Sequence, residues 1–461
     1  MSVKDNAVKT PKEPKTRNKA LRMGGFSAVM IAVALIVAIV VNLLVAQLPS
    51  AYTNIDLTAE RLFSIGDQTK DVVGAVTEDV TIYLVAPTGE ENSAITELLS
   101  RYEPLNSHIK VQYKDPVLYP NFTAVYTEES VAANSLIVVS SKRSKVVPYS
   151  NMVNANSGTF EGEAQITGAI DYVTSDNLPT VYQITGHGEK EMDAALLSAL
   201  ETENFDIETM SLNSVESIDQ NIGCVVIISP ASDYSEDDID KLTAYLQGGG
   251  NLLLITDYNA NGFKNLYGFM EKQYGLSLVD GIVVEGDSNH IVYTTTGSAY
   301  LHYLLPDLDS HTITDPLIDG GYTVMYPISQ GIKTAETNRS SLTITPLLTT
   351  SDTAYSKTNM EAAESWEQEE GDISGPFDLA VAVDDAKYEG KAVWYTTSYV
   401  MESSVNDTVS GGNYDMLINT FGWMCERESS ITIHAKSLTT EKLTINTADG
   451  RSLNIFFIGV L

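Results

Sequence analysis

The feature that most limits how this chain can fold is a run of 25 residues, Gly24 to Leu48, without one charged side chain. At 1.5 Å per residue, about 20 apolar residues cross the hydrocarbon core of a bilayer, so the run is long enough to span it. A cleavable signal peptide has a shorter apolar region, roughly 7 to 15 residues, followed by a small-residue site. Here the run ends instead in Leu48-Pro49. Residues 1–23 hold seven Lys and Arg against two acids, and such a basic flank stays on the cytoplasmic side. The expectation is an uncleaved N-terminal transmembrane helix over residues 24–48, behind a cytoplasmic basic tail over 1–23. A lipid bilayer is then the first partner, and the large portion after residue 50 is extracytoplasmic.

That portion carries 59 acidic and 21 basic residues. Such a balance repels phosphate backbones, so no nucleic acid is expected as a partner. Its length suits two or three domains. The two cysteines, Cys224 and Cys425, each sit inside an apolar run. They read as core residues, and they exclude a disulfide framework or a cysteine-built metal site.

Residues 51–176 alternate helical and strand periodicities. Ile65, Thr69, Val72, Val73 and Val76 share one helical face, with Ser64 and Asp67 spaced like a capping box. A strand follows at 80–85, a helix at 91–105, a strand at 109–113, a hairpin at 136–140 and 145–149, and a helix at 161–174. This is the element order of a thioredoxin-like α/β domain. Its redox chemistry would need a CxxC at the first helix, where the helix terminus lowers a thiol pKa. The chain has Ala86-Pro87-Thr88-Gly89 there, so a docking or ligand surface is expected.

Residues 178–430 repeat apolar strand and amphipathic helix. Strands at 180–185, 224–229 and 251–256 are near-continuously apolar, and Gly248-Gly249-Gly250 ends the helix before the third. Such strands belong to a parallel sheet covered on both faces, and a flavodoxin-like, glutamine amidotransferase-like doubly wound domain with a mixed extension is expected. Residues 354–375 read as an acidic, solvated loop, and Asn413 as the cap of a helix over 414–427.

Ligands of open α/β sheets bind beyond the carboxyl ends of the strands. Gly186, His187, Gly188, Glu189, Pro230 and Asp257 all fall at such ends and are the candidate ligand-binding residues. In one reading Gly186 to Glu189 form a backbone cradle for an anionic or hydroxylated ligand. In the other the glycines make a tight turn, with His187 and Glu189 as cap and hydrogen-bond partners. No Walker A, GxSxG, HExxH or CxxC pattern occurs. Neither a catalytic residue, a metal nor a cofactor is therefore expected.

The order of several segments is specific: IDLTAERLFSIGDQT (55–69), YKDP (113–116), FEGEAQITGAI (160–170), VYQITGHGE (181–189), SEDDIDKLTAYLQGGGNLLLI (235–255), YPISQGI (326–332), GPFDLAVAV (375–383) and GNYDMLINTFGWM (412–424). Together they resemble the GldG-like, gliding-motility-associated auxiliary proteins of ABC transport systems. The resemblance implies a non-ATPase, substrate-binding-like subunit partnered by an ABC ATPase and a multispanning permease. It implies that the second domain is of the kind shared with an intraflagellar transport protein and tied to sugars or other small polar ligands, with Gly186 to Glu189 and Asp257 at its loop positions. It also places a second membrane helix after the 431–461 segment, whose nine-residue run LNIFFIGVL is by itself too short to span. The alternative expectation is a cell-surface ligand-binding or adhesion module without transport.

Overall fold

The computed structural model describes residues 30–40, 62–154, 158–176, 178–259, 262–293, 297–336, 338–359, 366–426, 433 and 436–438. The basic tail, residues 24–29 and 41–48 of the expected span, and most of the 431–461 segment lie outside the described residues. Residues 30–40 are helical with exposed side chains. Among the described residues, no helix is long and apolar enough to cross a membrane.

The first sheet lies within residues 62–176. Helix α1 (Asp67–Ala75) leads into β1 (Val80–Val85), α2 (Ser93–Tyr102), β2 (Ile109–Lys114), β3 (Ser135–Val139), β4 (Ser144–Val147) and α3 (Gly162–Thr174). The strand order is β2-β1-β3-β4. β1 and β2 run parallel with Val80 opposite Ile109, and β3 and β4 add antiparallel as a hairpin. Val80, Ile82 and Leu84 alternate into a core shared with Leu98 and Leu99 of α2 and Ile166 and Ile170 of α3.

The start of α1 departs from expectation. Ser64 and Asp67 do not make a capping box; Gly66 is the N-cap and no side chain of its own turn closes it. The Gly66 N–H donates instead to Glu163 Oε1 at 2.6 Å, from a residue 97 positions away. Lys436 donates to the other oxygen of Glu163 at 2.7 Å. Lys436–Ser437 also pairs antiparallel with Thr159–Phe160, which pairs in turn with Val153–Asn154, so this late segment completes a small three-stranded sheet beside α3.

Among the described residues, the second sheet has ten strands. Its parallel part is built from β5 (Thr180–Thr185), α4 (Ala194–Thr202), β6 (Asp206–Ser211), β7 (Cys224–Ile228), α5 (Glu236–Gln247), β8 (Leu252–Ile255) and α6 (Lys264–Tyr274). Short strands follow: β9 (Leu276–Leu278), β10 (Ile282–Val284), β11 (Ile332–Thr334), β12 (Leu342–Thr349), β13 (Tyr355–Lys357) and β14 (Ile373–Ser374). The chain then forms β15 (Asp378–Asp385), β16 (Gly390–Tyr395) and α7 (Gly412–Met424). The run β6-β5-β7-β8-β16 is parallel throughout. Numbered by chain order within this run, it is 2-1-3-4-5, the flavodoxin-like order. β15 continues it antiparallel, with β12 and β11 beyond.

Every residue of β7 is buried. Cys224, Val226 and Ile228 face a core with Leu196 and Leu200 of α4 and Leu417 and Phe421 of α7. Val225 and Ile227 face the other, with Leu242 of α5 and Leu266 and Phe269 of α6. Each such side chain withdrawn from water contributes about 1.5–3 kcal/mol, which is why this strand tolerates no polar alternation. Cys425 is buried as well.

The helix α5 opens on a capping box legible in its own sequence, in which Ser235 and Asp238 bond reciprocally across the first turn. The triple glycine at its end is sterically required, because a Cβ on Gly250 would lie 2.4 Å from the Tyr245 ring. Two other expectations are corrected. Asn413 does not cap α7, whose N-cap is Gly411; it lies buried inside the helix and exchanges bonds with the backbone N–H and C=O of Met325. The segment 354–375 is not simply a solvated loop, since β13 pairs with β10 and β14. Lys357 is fully buried there, with Glu369 at 3.0 Å and the Glu367 carbonyl at 2.6 Å. Buried cations require such partners, and the acids of this segment supply them. Residues 360–365 of the segment lie outside the described residues.

Candidate functional site

The parallel order reverses between β5 and β7, and the loops leaving these two strands meet at their carboxyl ends. Gly186 and Gly188 adopt φ of +121° and +74°. A side chain is strained in that region, and a Cβ on Gly188 would come 2.8 Å from the Ala231 Cβ. The glycines let the chain turn so that the His187 carbonyl accepts the N–H groups of Ala231 and Ser232, at 2.9 and 3.0 Å. The β5 loop is thereby latched onto the β7 loop, where Pro230 is buried.

His187 lies in a closed polar cage. Its ring stacks on Tyr234 at 4.0 Å with planes 16° apart. Nδ1 faces Glu189 Oε1 at 3.3 Å and Nε2 faces Asp238 Oδ2 at 3.2 Å. Glu189 also accepts the His187 backbone N–H at 2.8 Å and the Tyr234 hydroxyl at 2.6 Å. Burial, reinforced by the adjacent Glu189 carboxylate, holds the Tyr234 phenol far above its ordinary pKa, so it stays a donor. The side chains of His187 and Glu189 are thus engaged by protein groups, and the loop they stiffen presents its backbone outward.

That backbone borders a cleft of about 430 Å³ lined by Gln183, Thr185, Gly186, Gly188, Glu189 and Thr209 among others. Its wall mixes the apolar Met192, Leu197 and Ile207 with the Gln183 amide, whose Nε2 donates to the Lys190 carbonyl, and with the hydroxyls of Thr185 and Thr209, the mixture of apolar surface and a few polar groups usual for a small-molecule cleft. Among the described residues, no group of three or more His, Cys, Asp or Glu is placed to hold a metal ion.

Asp257 sits apart from this cleft, in a second polar cluster at the ends of β7, β8 and β16. It accepts from Ser229 Oγ at 2.6 Å, Lys190 Nζ at 2.7 Å, the Ser398 N–H at 2.7 Å and Ser398 Oγ at 2.8 Å. Burial alone would raise its pKa, but the lysine and serine donors outweigh it and keep the carboxyl below the ordinary value. Ser229 takes a φ of +40°, unusual for a residue with a Cβ, to reach the carboxylate. The structure therefore joins Gly186, Gly188 and Glu189 at the cleft, turns His187 away into its cage, and assigns Asp257 to a neighbouring lock.

Sequence reasoning misses Tyr234, Asp238, Lys190, Ser229 and Ser398 as partners of these residues. Asp238 is visible only as a helix-capping residue, and Lys190 directly follows the glycine loop. Ser398 carries no local signal, because it meets Asp257 across 141 residues of chain.

Residues 178–392 match the family model described as an ABC-type uncharacterized transport system, and residues 59–154 match a domain of unknown function. No curated protein matches the chain. Among solved structures, the chain is similar to the mmIFT52 N-terminal domain at 14% identity and a TM-score of 0.39, covering 53% of this chain and 97% of that one. It is also similar to a thua-like protein from Bacteroides uniformis at 12% identity and a TM-score of 0.29, covering 55% of this chain and 94% of that one. A GMP synthase protein from Thermoplasma acidophilum matches at 13% identity and a TM-score of 0.29, over 55% of this chain and 96% of that one. Over residues 178–392, the part that holds the glycine loop and the cleft, the sequence matches the model of the ABC-type uncharacterized transport systems, the class of system that its ordered segments resemble.

Proposed function

We propose that this protein is a membrane-anchored, extracytoplasmic auxiliary subunit of an ABC transport system, working beside an ATPase and a multispanning permease. In this reading the uncharged run 24–48 is the anchor, residues 62–176 are a thioredoxin-like docking domain, and the doubly wound domain is the ligand-binding part. The observation that carries it is the family match over 178–392, which ties the chain to transport systems. The cleft beside Gly186 and Gly188 supports a binding role, with Gln183, Thr185 and Thr209 offering hydrogen bonds to a sugar or another small polar ligand. The protein performs no chemistry itself: the side chains of His187 and Glu189 brace a loop, and their polar atoms face protein partners.

The test is purification of the full chain from membranes in mild detergent, followed by identification of what accompanies it. An ABC ATPase and a polytopic permease should be recovered in comparable amounts. Repeated purifications that yield neither would overturn the transport reading and leave a surface receptor in its place.

A further inference from the structure

Among the described residues of the first domain, the most exposed apolar side chains are gathered on one loop. Between Asp115 and Glu128 the chain has no charged residue, and within it Val117, Leu118, Tyr119 and Val125 are 75, 68, 58 and 78% exposed. The loop is not slack. Asp115 accepts from the Thr88 N–H and hydroxyl on one side and from the Val117 N–H on the other, at 3.0, 2.7 and 2.8 Å. Phe122 and Tyr126 pack on Tyr83 of β1, with ring centroids 4.9 and 6.2 Å away. Two aromatic side chains thus fasten the loop to the sheet, and four others are held out in solvent. Singly exposed apolar residues need no explanation, but a fastened cluster of them marks a contact surface.

We infer that this loop, residues 116–127, dips into the lipid bilayer that holds the anchor. The inference rests on the anchor reading given above. Only 13 residues, 49–61, separate the end of the apolar run from the first described residue of the domain, a tether of at most about 45 Å. A tether of that length lets the loop come to the membrane surface. The tip chemistry fits that surface: aliphatic Val and Leu for the acyl region, and Tyr119 for the boundary, where amphipathic rings settle. Lys114 at the loop base lies 5.7 Å from the Tyr119 ring and 5.4 Å from the Phe122 ring. It is the ammonium itself that sits over these rings, a cation beside the apolar tip and of the sign that headgroup phosphates attract. A protein partner would be expected to meet some charged side chain at the centre of the surface, and residues 116–127 carry none.

The experiment places a fluorophore on Leu118→Cys in the full chain, reconstituted into phosphatidylcholine vesicles with and without lipids carrying a nitroxide on the acyl chain. Cys224 and Cys425 are buried, which directs labelling to the new thiol. A control label goes on Asp240→Cys, exposed on α5. Nitroxide lipids should lower the emission at position 118 at least twofold and leave position 240 unchanged. Val125→Asp in the labelled background should remove most of that quenching. Unquenched label at 118 on protein that floats with the vesicles overturns the inference. So does protection of the label only when a co-purified protein is added, which would make the loop a protein-docking surface. Failure of the unlabelled chain to float would instead remove the anchor reading, so the two failures are separable.

Discussion

Two loops in this molecule leave the carboxyl ends of parallel strands and resolve the same problem in opposite ways. The loop after β5 turns its polar side chains inward: His187 and Glu189 are buried and bonded to Tyr234 and Asp238, and the backbone is what meets the cleft. The loop after β2 turns apolar side chains outward, with Phe122 and Tyr126 as its fasteners. In the first, buried polar groups define one backbone shape, and losing any member strands the rest. In the second, the fastening is separate from what is displayed, so the displayed residues are free to serve a partner. The comparison makes a quantitative demand: substitutions in the β5 loop should cost folding free energy, and substitutions at the tip of the β2 loop should not.

The largest effect is expected from Glu189→Ala. It leaves the Tyr234 hydroxyl, the His187 N–H and the His187 ring without their acceptor in a buried site, a loss of about 3–5 kcal/mol. Denaturant unfolding should show the midpoint fall with little change in slope. A loss under about 1 kcal/mol would mean that water replaces the carboxylate and that the cage is open. Gly188→Val comes next. It forces a β-branched residue into positive φ and onto Ala231, at roughly 2–4 kcal/mol. If the loop relaxes without cost, the latch between the β5 and β7 loops is not rigid.

Asp257→Asn should have a smaller effect with a distinct pH signature. The folded carboxyl is held below its ordinary pKa by its lysine and serine partners against the opposing effect of burial. Its contribution is therefore complete above the unfolded value of about 4 and is lost as pH falls through the lower folded value. The variant should be about 1–2 kcal/mol less stable than the parent at neutral pH. The gap should close progressively below about pH 4. A gap that stays constant into acid would show that the charge on Asp257 does not matter to the lock.

How far these features are readable depends on the distance over which their partners lie. The α5 cap is visible because Ser235 and Asp238 are three residues apart and bond to each other's turn. The α1 cap is not, because its acceptor is Glu163 on another helix. The apolar runs of β7 and β8 reveal a two-faced sheet, since full burial leaves no alternation to read. The glycine pattern locates the β5 loop correctly, but the direction of His187 is set by Tyr234 and Asp238, 47 and 51 residues later in the chain. Lys190 meets Ser398 across 208 residues, and no local pattern encodes that meeting. Asn413 has the composition of a cap, yet tertiary contacts with Met325 draw it into the helix.

The smallest effect is the one that tests the contrast most sharply. Leu118→Gln keeps the length of the side chain and removes its apolar character at a position that is 68% exposed. Surface substitutions of this kind change stability by no more than about 0.5 kcal/mol, and the thermal midpoint of the variant should match that of the parent within about 2 °C. Phe122→Ala on the same loop should behave differently, because it removes the ring that packs on Tyr83 and Tyr126. A loss of roughly 1–3 kcal/mol there, beside a silent Leu118→Gln, would place fastening and display on different residues of one loop. Equal losses in both variants would mean that Leu118 packs within the domain, and the outward-facing half of the comparison would fall with it.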